Sequence, residues 1–437
     1  MNILIIESIN VQKYKYKLFE KTLLSSFSIL PSLYPRRLAA ITPKKHKTHV
    51  FNERYEQLKI NKKYDLVNIH FNTASTKKAY EVADKFRGKK VKVILSGLHA
   101  SALPNEALKH ADSVLLGRGE LNWITLLKDF ENNKLKKIYP PEDFIKSNIK
   151  IPPTNIKLPG FMITGAIEAT RGCPYQCTFC PETNTPNGNK YYERPIKEVI
   201  NEIKEIPQKT IIFYDNSLTI NPDYTKKLFQ EMKTLRKKFF CNGNVDNLAN
   251  DIELVKLSKQ AGCIAWLIGF ESISQKTMDE IGKKTNKIET YERAVKNIHK
   301  NKMVVIGDFM FGFDNDTKDV FETTLKTIKK MKIDIADFSI LTPFPGTPIY
   351  NTLEKENRLL TKDWVKYNMH NVVFQPKNMT PEDLQEGVIK IYNNFYSTNH
   401  TIKRIANSIK LGFYPFFLVL FRNTITSMGI KQFKKKL

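Results

Sequence analysis

Short apolar runs alternate with amphipathic stretches along most of this chain, and that alternation restricts its possible folds more than any other feature. Strand-like runs occupy residues 166–169, 210–214, 239–242, 265–270, 304–311 and 335–341. Helix-period stretches follow most of them, at 195–206, 224–235, 251–261, 291–300 and 320–331. Parallel strands need long crossovers, which helices supply, so six such units predict a (β/α)6 barrel or most of one. A shorter series lies upstream, with apolar runs at 3–6, 65–71, 91–95 and 113–116 and a helical pattern at 76–87. It predicts a doubly wound parallel sheet. Small residues stand just after two of its strands, at Ser96-Gly97 and at Gly117-Arg118-Gly119-Glu120. Open α/β sheets bind ligands at such carboxyl ends; plain turns use the same residues. Residues 140–159 are rich in Pro, Asn and Lys and read as a linker. Beyond Tyr350 the pattern is mostly helical. The expected chain is α/β in three parts: a Rossmann-type domain over 1–145, a partial barrel over 160–350, and a helical region over 351–437.

A hydrophobic fraction of 41% in 437 residues supports ordinary globular layers. The formal net charge of +26 admits two readings. Lysine alternates with acidic residues in helical stretches such as 198–204, as on a solvated face; an anionic partner would also suit the excess. The start, MNILIIES, carries Glu7 inside its apolar run, so it reads as a buried strand rather than a signal peptide. Residues 411–421, LGFYPFFLVLF, are too few to span a bilayer. Flanked by Lys410 and Arg422, they fit either a segment lying on a membrane surface or a buried C-terminal helix. The expected location is cytoplasmic, with a peripheral seat on the inner face of the membrane as one possibility.

Five cysteines are too sparse for a disulfide scaffold. Three of them, Cys173, Cys177 and Cys180, fall within eight residues just after the first strand of the second series. A thiolate trio on one loop can ligate three irons of a 4Fe–4S cubane and leave the fourth iron open. Zinc usually takes four protein ligands, and no second Cys or His pair stands nearby. Cys241 and Cys263 are expected to be small buried hydrophobes.

The run CPYQCTFC at 173–180 resembles the signature of the radical S-adenosylmethionine superfamily, including the aromatic Phe179 before the last cysteine. The Tyr214-Asp215-Asn216 turn, the strand end at 268–272 (IGFES), the strand at 307–312 and the turn at 343–348 (PFPGTP) resemble further motifs of that family. The resemblance implies that Phe179, Asn216, Glu271, Gly312 and Pro343 lie around S-adenosylmethionine. Residues 95–101 and 111–120 resemble the cobalamin-binding domain of the subgroup that holds the oxidative cyclase of bacteriochlorophyll synthesis and hopanoid methylases. That implies a cobalamin site near Thr73, Ser96, Gly97, Gly117 and Gly119. Two departures matter. Many such domains carry Asp-x-His-x-x-Gly after the first strand, whose His ligates cobalt, whereas this chain reads ESINVQKYKYK there. Ser96-Gly97 also stands where the family usually has Gly-Gly. Cobalamin bound without a protein His and a domain that has lost cobalamin both remain open. His99 is expected to be a loop residue rather than a cobalt ligand.

The family resemblance implies reductive cleavage of S-adenosylmethionine, with an electron from a ferredoxin or flavodoxin, and hydrogen abstraction from an unactivated carbon by the 5′-deoxyadenosyl radical. Cobalamin-dependent C-methylation of a lipid or isoprenoid-like substrate leads; ring formation or carbon–carbon coupling on a lipophilic substrate follows. A tRNA methylthiotransferase-like activity suits the charge, but no cysteine precedes Cys173 to hold a second cluster, and nucleic acid is an unlikely partner. A non-catalytic sensor or scaffold has little need of a complete thiolate trio.

Overall fold

The computed structural model describes residues 1–8, 32–52, 57–60, 63–141 and 164–434. Most of the expected linker, the segment after the first strand and the last three residues lie outside these.

Six parallel strands form the first sheet: β1 (Asn2–Ser8), β2 (Lys47–Asn52), β3 (Leu66–Phe71), β4 (Lys92–Ser96), β5 (Ser113–Leu115) and β6 (Ile138–Tyr139). Their order is β2-β1-β3-β4-β5-β6, so the winding reverses between β1 and β3. Both faces are covered. Leu4, Val67, Ile69 and Val93 pack with Ala79, Ala83 and Phe86 of the helix Thr76–Gly88. Ile3, Ile5, Leu66 and Ile94 pack on the other side with Leu38, Trp123, Leu126 and Leu127. The period-2 side-chain alternation of each strand thus feeds two apolar layers, which makes the sheet doubly wound. Sequence patterning missed β2 and β6. β2 is an edge strand whose first three residues are exposed, and β6 has two residues, so neither writes a clear apolar run.

The second sheet is also parallel and runs in chain order, from β7 (Thr164–Ile167) through β10 (Thr210–Phe213), β11 (Lys238–Asn242), β12 (Cys263–Glu271) and β13 (Val304–Phe311) to β14 (Ile335–Ile340). A small antiparallel pair, β8 (Thr170–Arg171) with β9 (Tyr192–Glu193), sits beside its first strand. One face carries the largest core, where Ile167, Phe213, Phe239, Trp266, Phe270 and Phe338 meet the apolar stripes of the crossover helices. Cys241 and Cys263 are buried in that core.

The opposite face is half apolar and half polar. At its amino end Ile264, Ala265, Val304, Ile306 and Ile335 pack with Leu411 and Val419 of the C-terminal segment. The helix Phe413–Lys434 therefore closes the floor of the partial barrel. Its other side is open: Phe413 is 70% exposed and Phe417 48%. The apolar stretch 411–421 is thus a barrel plug and an exposed aromatic surface together. No helix among the described residues is long and apolar enough to cross a membrane.

Val419 is fully buried, so Val419→Asp should destabilise by on the order of 3 kcal/mol or more, because it buries an unpaired charge. Phe417→Asp, on the exposed side, should stay within about 0.5 kcal/mol. Limited proteolysis after the helix Thr398–Ser408 reads the difference: only the first variant should release the C-terminal helix readily.

Candidate active site

The cysteine loop leaves the carboxyl end of the first barrel strand, where barrel enzymes place their chemistry. After β8, Gly172 turns the chain with φ +72, and a Cβ there would strike the Lys190 carbonyl oxygen at 1.9 Å. Only glycine allows that approach. Cys173 N–H then donates to Gly188 O (3.0 Å), Thr178 N–H to Ile281 O (3.0 Å) and Cys180 N–H to Cys177 O (3.1 Å). Asn184 Nδ2 donates to the carbonyls of Cys177 (3.1 Å) and Cys180 (2.8 Å). The three thiols are close enough to feel one another's charge, and burial pushes all of them up, Cys177 to about 12. Thiolates there need a compensating metal charge. Among the described residues no three His, Cys, Asp or Glu side chains converge as a single ion requires. A cubane takes its three ligands at separate corners, and the three thiols here share one loop.

At the entrance to this loop lies a buried ionic knot that sequence patterning did not single out. The Glu168 carboxylate accepts from Arg171 Nε (2.7 Å), from Arg118 Nη1 (2.8 Å) and from Arg37 Nη1. Arg171 Nη2 also donates to Glu120 Oε1 at 2.8 Å. Burial alone would raise the Glu168 pKa; the charges of Arg171, Arg37 and Arg118 outweigh it and hold the carboxyl well below the usual range. Arg37, Arg118 and Glu120 belong to the first sheet's layer, and Glu168 and Arg171 to the second, so the knot joins the two. A second joint is made by Trp364 Nε1, which donates to Glu106 at 3.2 Å. Glu106 also meets Tyr80 OH at 3.0 Å and His99 Nε2 at 3.2 Å. His99 is therefore no loop residue. It is 1% exposed, within the short helix Leu98–Ala102, because its ring is needed at this joint.

Asp215 organises the same strand end. It is fully buried and accepts from Ala169 N–H (3.1 Å) and Thr170 Oγ1 (2.7 Å). Burial and then the Glu168 charge raise its pKa to about 6.

Further along the barrel rim, Glu271 ends β12 with φ +59, a conformation that L residues rarely adopt. Its carboxylate pairs with Lys283 Nζ at 2.5 Å. A Cβ at Gly269 would meet Lys283 Nζ at 2.7 Å, so that glycine makes room for the pair. Lys283 also feels Cys177 and Cys180, which places the pair beside the cysteine loop. Asp308 of β13 stands in register between Gly269 and Asp337 on the inner face. Burial, then Asp337 and Glu271, push its carboxyl up to about 8. A charged residue inside an apolar strand run was the available sequence signal for Asp308; nothing in the motif spacing marked Lys283.

A cavity of about 570 Å³ lies between the carboxyl ends of the first sheet and the flank of the cysteine loop. Gly97, Gly117, Gly119 and Asn216 all line it, together with Gly172, Glu182 and Thr185 from the barrel side. Asn216 Nδ2 is buried without a hydrogen-bond partner. Thr73 lines a neighbouring cavity of about 170 Å³ that also touches Asn184 and Gly346. Ser96 is fully buried and bonds Asn68 Oδ1 at 3.2 Å, behind the cavity wall. Phe179 meets Phe313 edge to face, with ring centroids 6.3 Å apart. Gly312, with φ +104, lies at the end of β13, its amide donating to Asp316 at 2.9 Å. Pro343 lies in the turn after β14.

Residues 167–328 match the family described as the radical SAM superfamily, and 347–414 match a domain of unknown function designated DUF4070. The bacteriochlorophyllide d C-12(1)-methyltransferase of Chlorobaculum tepidum is 32% identical over 360 residues, covering 78% of this chain and 77% of that protein. This chain belongs to the radical SAM superfamily. In fold it is similar to the cobalamin-dependent radical enzyme OxsB (TM-score 0.67, 14% identity, 98% of this chain and 72% of that one). It is likewise similar to the methyltransferase TsrM from Kitasatospora setae, solved with cobalamin and a [4Fe-4S] cluster (TM-score 0.64, 15% identity, 81% and 78%). The cofactors of the superfamily are a 4Fe–4S cluster and S-adenosylmethionine, and the donor set of this radical SAM enzyme fits them. Three thiols share one loop, and a buried, unpartnered amide, Asn216 Nδ2, lies at the adjoining strand end.

Glu168→Gln leaves the buried Arg37 and Arg171 and the half-buried Arg118 facing a neutral group and should lower unfolding free energy by about 3 kcal/mol in a denaturant titration. Because the folded pKa is lowered, the Glu168 contribution is complete above the ordinary glutamate value of about 4.3 and is lost as pH falls below it.

Proposed function

We propose that this radical SAM enzyme methylates an unactivated carbon of a lipophilic small molecule, using cobalamin held between its two sheets. The carrying observation is the single cavity lined both by the glycines at the carboxyl ends of the first sheet and by residues flanking the cysteine loop. A carrier of the transferred group and the site of hydrogen abstraction would then share one enclosed space. The name of the Chlorobaculum relative supports methyl transfer. When bound, the reduced cluster and S-adenosylmethionine supply the 5′-deoxyadenosyl radical, and cobalamin supplies the methyl group.

The chain's own residues hold and orient. Cys173, Cys177 and Cys180 hold the cluster. Asn216, Glu271, Gly312 and Pro343 line the S-adenosylmethionine side, with Phe179 packed beneath the loop. Gly97, Gly117 and Gly119 line the cobalamin side, with Thr73 in the adjoining pocket. Lys283 holds the Glu271 side chain in place through their ion pair. Asp308, without an ion pair among the described residues, offers a hydrogen bond inside the barrel to a polar group of the substrate. The electron donor in this reading is a ferredoxin or flavodoxin. Without methyl transfer, the same geometry serves radical ring formation.

Protein reconstituted anaerobically with iron and sulfide, then reduced, should release 5′-deoxyadenosine and methionine from S-adenosylmethionine. Cys177→Ala should lose both iron and this activity. Iron-loaded wild type that yields no deoxyadenosine under strong reduction would leave a scaffold role instead.

A peripheral membrane seat is supported by the exposed edge near the C-terminus. Ile402, Ile409, Phe413 and Phe417 are 60%, 65%, 70% and 48% exposed. Lys403 and Lys410 lie among them, and Lys238 Nζ sits 5.6 Å from the Tyr414 ring centre. Apolar side chains beside lysines suit the anionic inner leaflet of a cytoplasmic membrane. Vesicles of phosphatidylglycerol should co-sediment the wild type, and Phe413→Asp with Phe417→Asp should reduce that several-fold. Equal sedimentation of both proteins would remove the membrane seat and leave the catalytic reading untouched.

A further inference from the structure

His70 stands at the carboxyl end of β3, beside the point where the first sheet reverses its winding, and it lines the 570 Å³ cavity. Its ring is fixed from one side by Tyr34, with ring centroids 3.8 Å apart and planes 27° apart. Its Nδ1 lies 3.5 Å from Ser96 Oγ, at the outer limit of a hydrogen bond. Nε2 has no hydrogen-bond partner among the described residues. The ring is thus oriented by packing and braced on one nitrogen, its second nitrogen is unpartnered among the described residues, and the residue lines an open cavity. A metal-binding histidine is held in just this manner: one nitrogen is tethered by a neighbour and the other is left for the metal.

We propose that His70 is the axial nitrogen ligand to the metal of a flat tetrapyrrole held in this cavity. Two sources share that chemistry: the cobalt of a corrin, and the central metal of a porphyrin-type substrate. The inference rests on the cavity being a tetrapyrrole site, as the proposed function has it, and it replaces the ligand that the loop after β1 does not carry. Among charged groups near the ring, Arg118 disfavours protonation. Burial and that charge lower the His70 pKa to about 3, which keeps the imidazole in its metal-binding neutral form through the physiological range.

The test uses the full chain, reconstituted with iron and sulfide, and two probes. With cob(II)alamin, electron paramagnetic resonance reads an axial nitrogen as a triplet splitting of the cobalt lines. Protein grown with 15N-histidine should turn that triplet into a doublet, which cobalamin's own nitrogen cannot do. With zinc protoporphyrin, axial ligation shifts the Soret band to the red. His70→Ala should abolish the signal of whichever probe is ligated, and added imidazole should restore it. The isotope measurement on wild type needs no variant, so a folding defect in His70→Ala cannot decide the matter. A doublet assigns the corrin, and a Soret shift alone assigns the substrate metal. Probe bound without either signature, or a signature that survives in His70→Ala, overturns the ligand role while leaving the cavity intact. Failure of both probes to bind wild type overturns the tetrapyrrole site itself.

Discussion

The carboxylate of Glu168 is the contact on which the rest of the architecture turns. It sits between β7 and the cysteine loop and is held by arginines from two different layers. A buried carboxylate cannot stay ionised without compensating charge, and buried guanidiniums cannot stay unpaired. Neither sheet can therefore withdraw from the other without stranding charge out of water. That reciprocity fixes the distance between the carboxyl ends of the first sheet and the cysteine loop. The cavity between them is a product of the knot. Glu106, shared by His99, Tyr80 and Trp364, repeats the device at the far side with an imidazole, a phenol and an indole.

The second sheet divides its chemistry by face. Residues that alternate toward the crossover helices are apolar and build the large core. Those that alternate the other way are apolar near the amino end and become Gly269, Glu271, Asp308, Asp337 and Ser339 toward the carboxyl end. Polarity thus rises along each strand toward the thiols. Arg422 of the C-terminal helix pairs with Asp337 at 2.7 Å, and Lys283 pairs with Glu271, which leaves Asp308 as the carboxyl of this face that has no ion pair among the described residues. A position in a low-dielectric barrel next to two other acids explains why its proton is held so tightly.

Much of this was legible in the amino-acid sequence, and the reasons are physical. Period-2 and period-3.6 apolar patterns report burial, so the strands with two covered faces, the helix Thr76–Gly88 and the crossover helices of the second sheet were found, while the helices Tyr34–Ile41 and Glu120–Glu131 were not. The thiol trio was legible because metal ligands impose spacing on a single loop. What escaped was held by contacts between distant segments. Arg37 meets Glu168 across 131 residues, and Trp364 meets Glu106 across 258. No local pattern encodes such meetings. Edge strand β2 escaped because exposure erases its apolar alternation. The tail was ambiguous because its two sides do different things: Val419 is sealed against Ile264 and Ile306, while Phe413 faces outward.

The sealed side of that tail gives the barrel a dead end. Leu411 and Val419 stop the interior at the amino edge of the strands, so among the described residues Asp308 lies between that seal and the rim that carries the thiols. Under the proposed reaction, traffic through that rim would be sequential: a spent nucleoside or a finished product would block the next molecule until it clears. Turnover then depends on the order of departure as well as on the reaction performed inside.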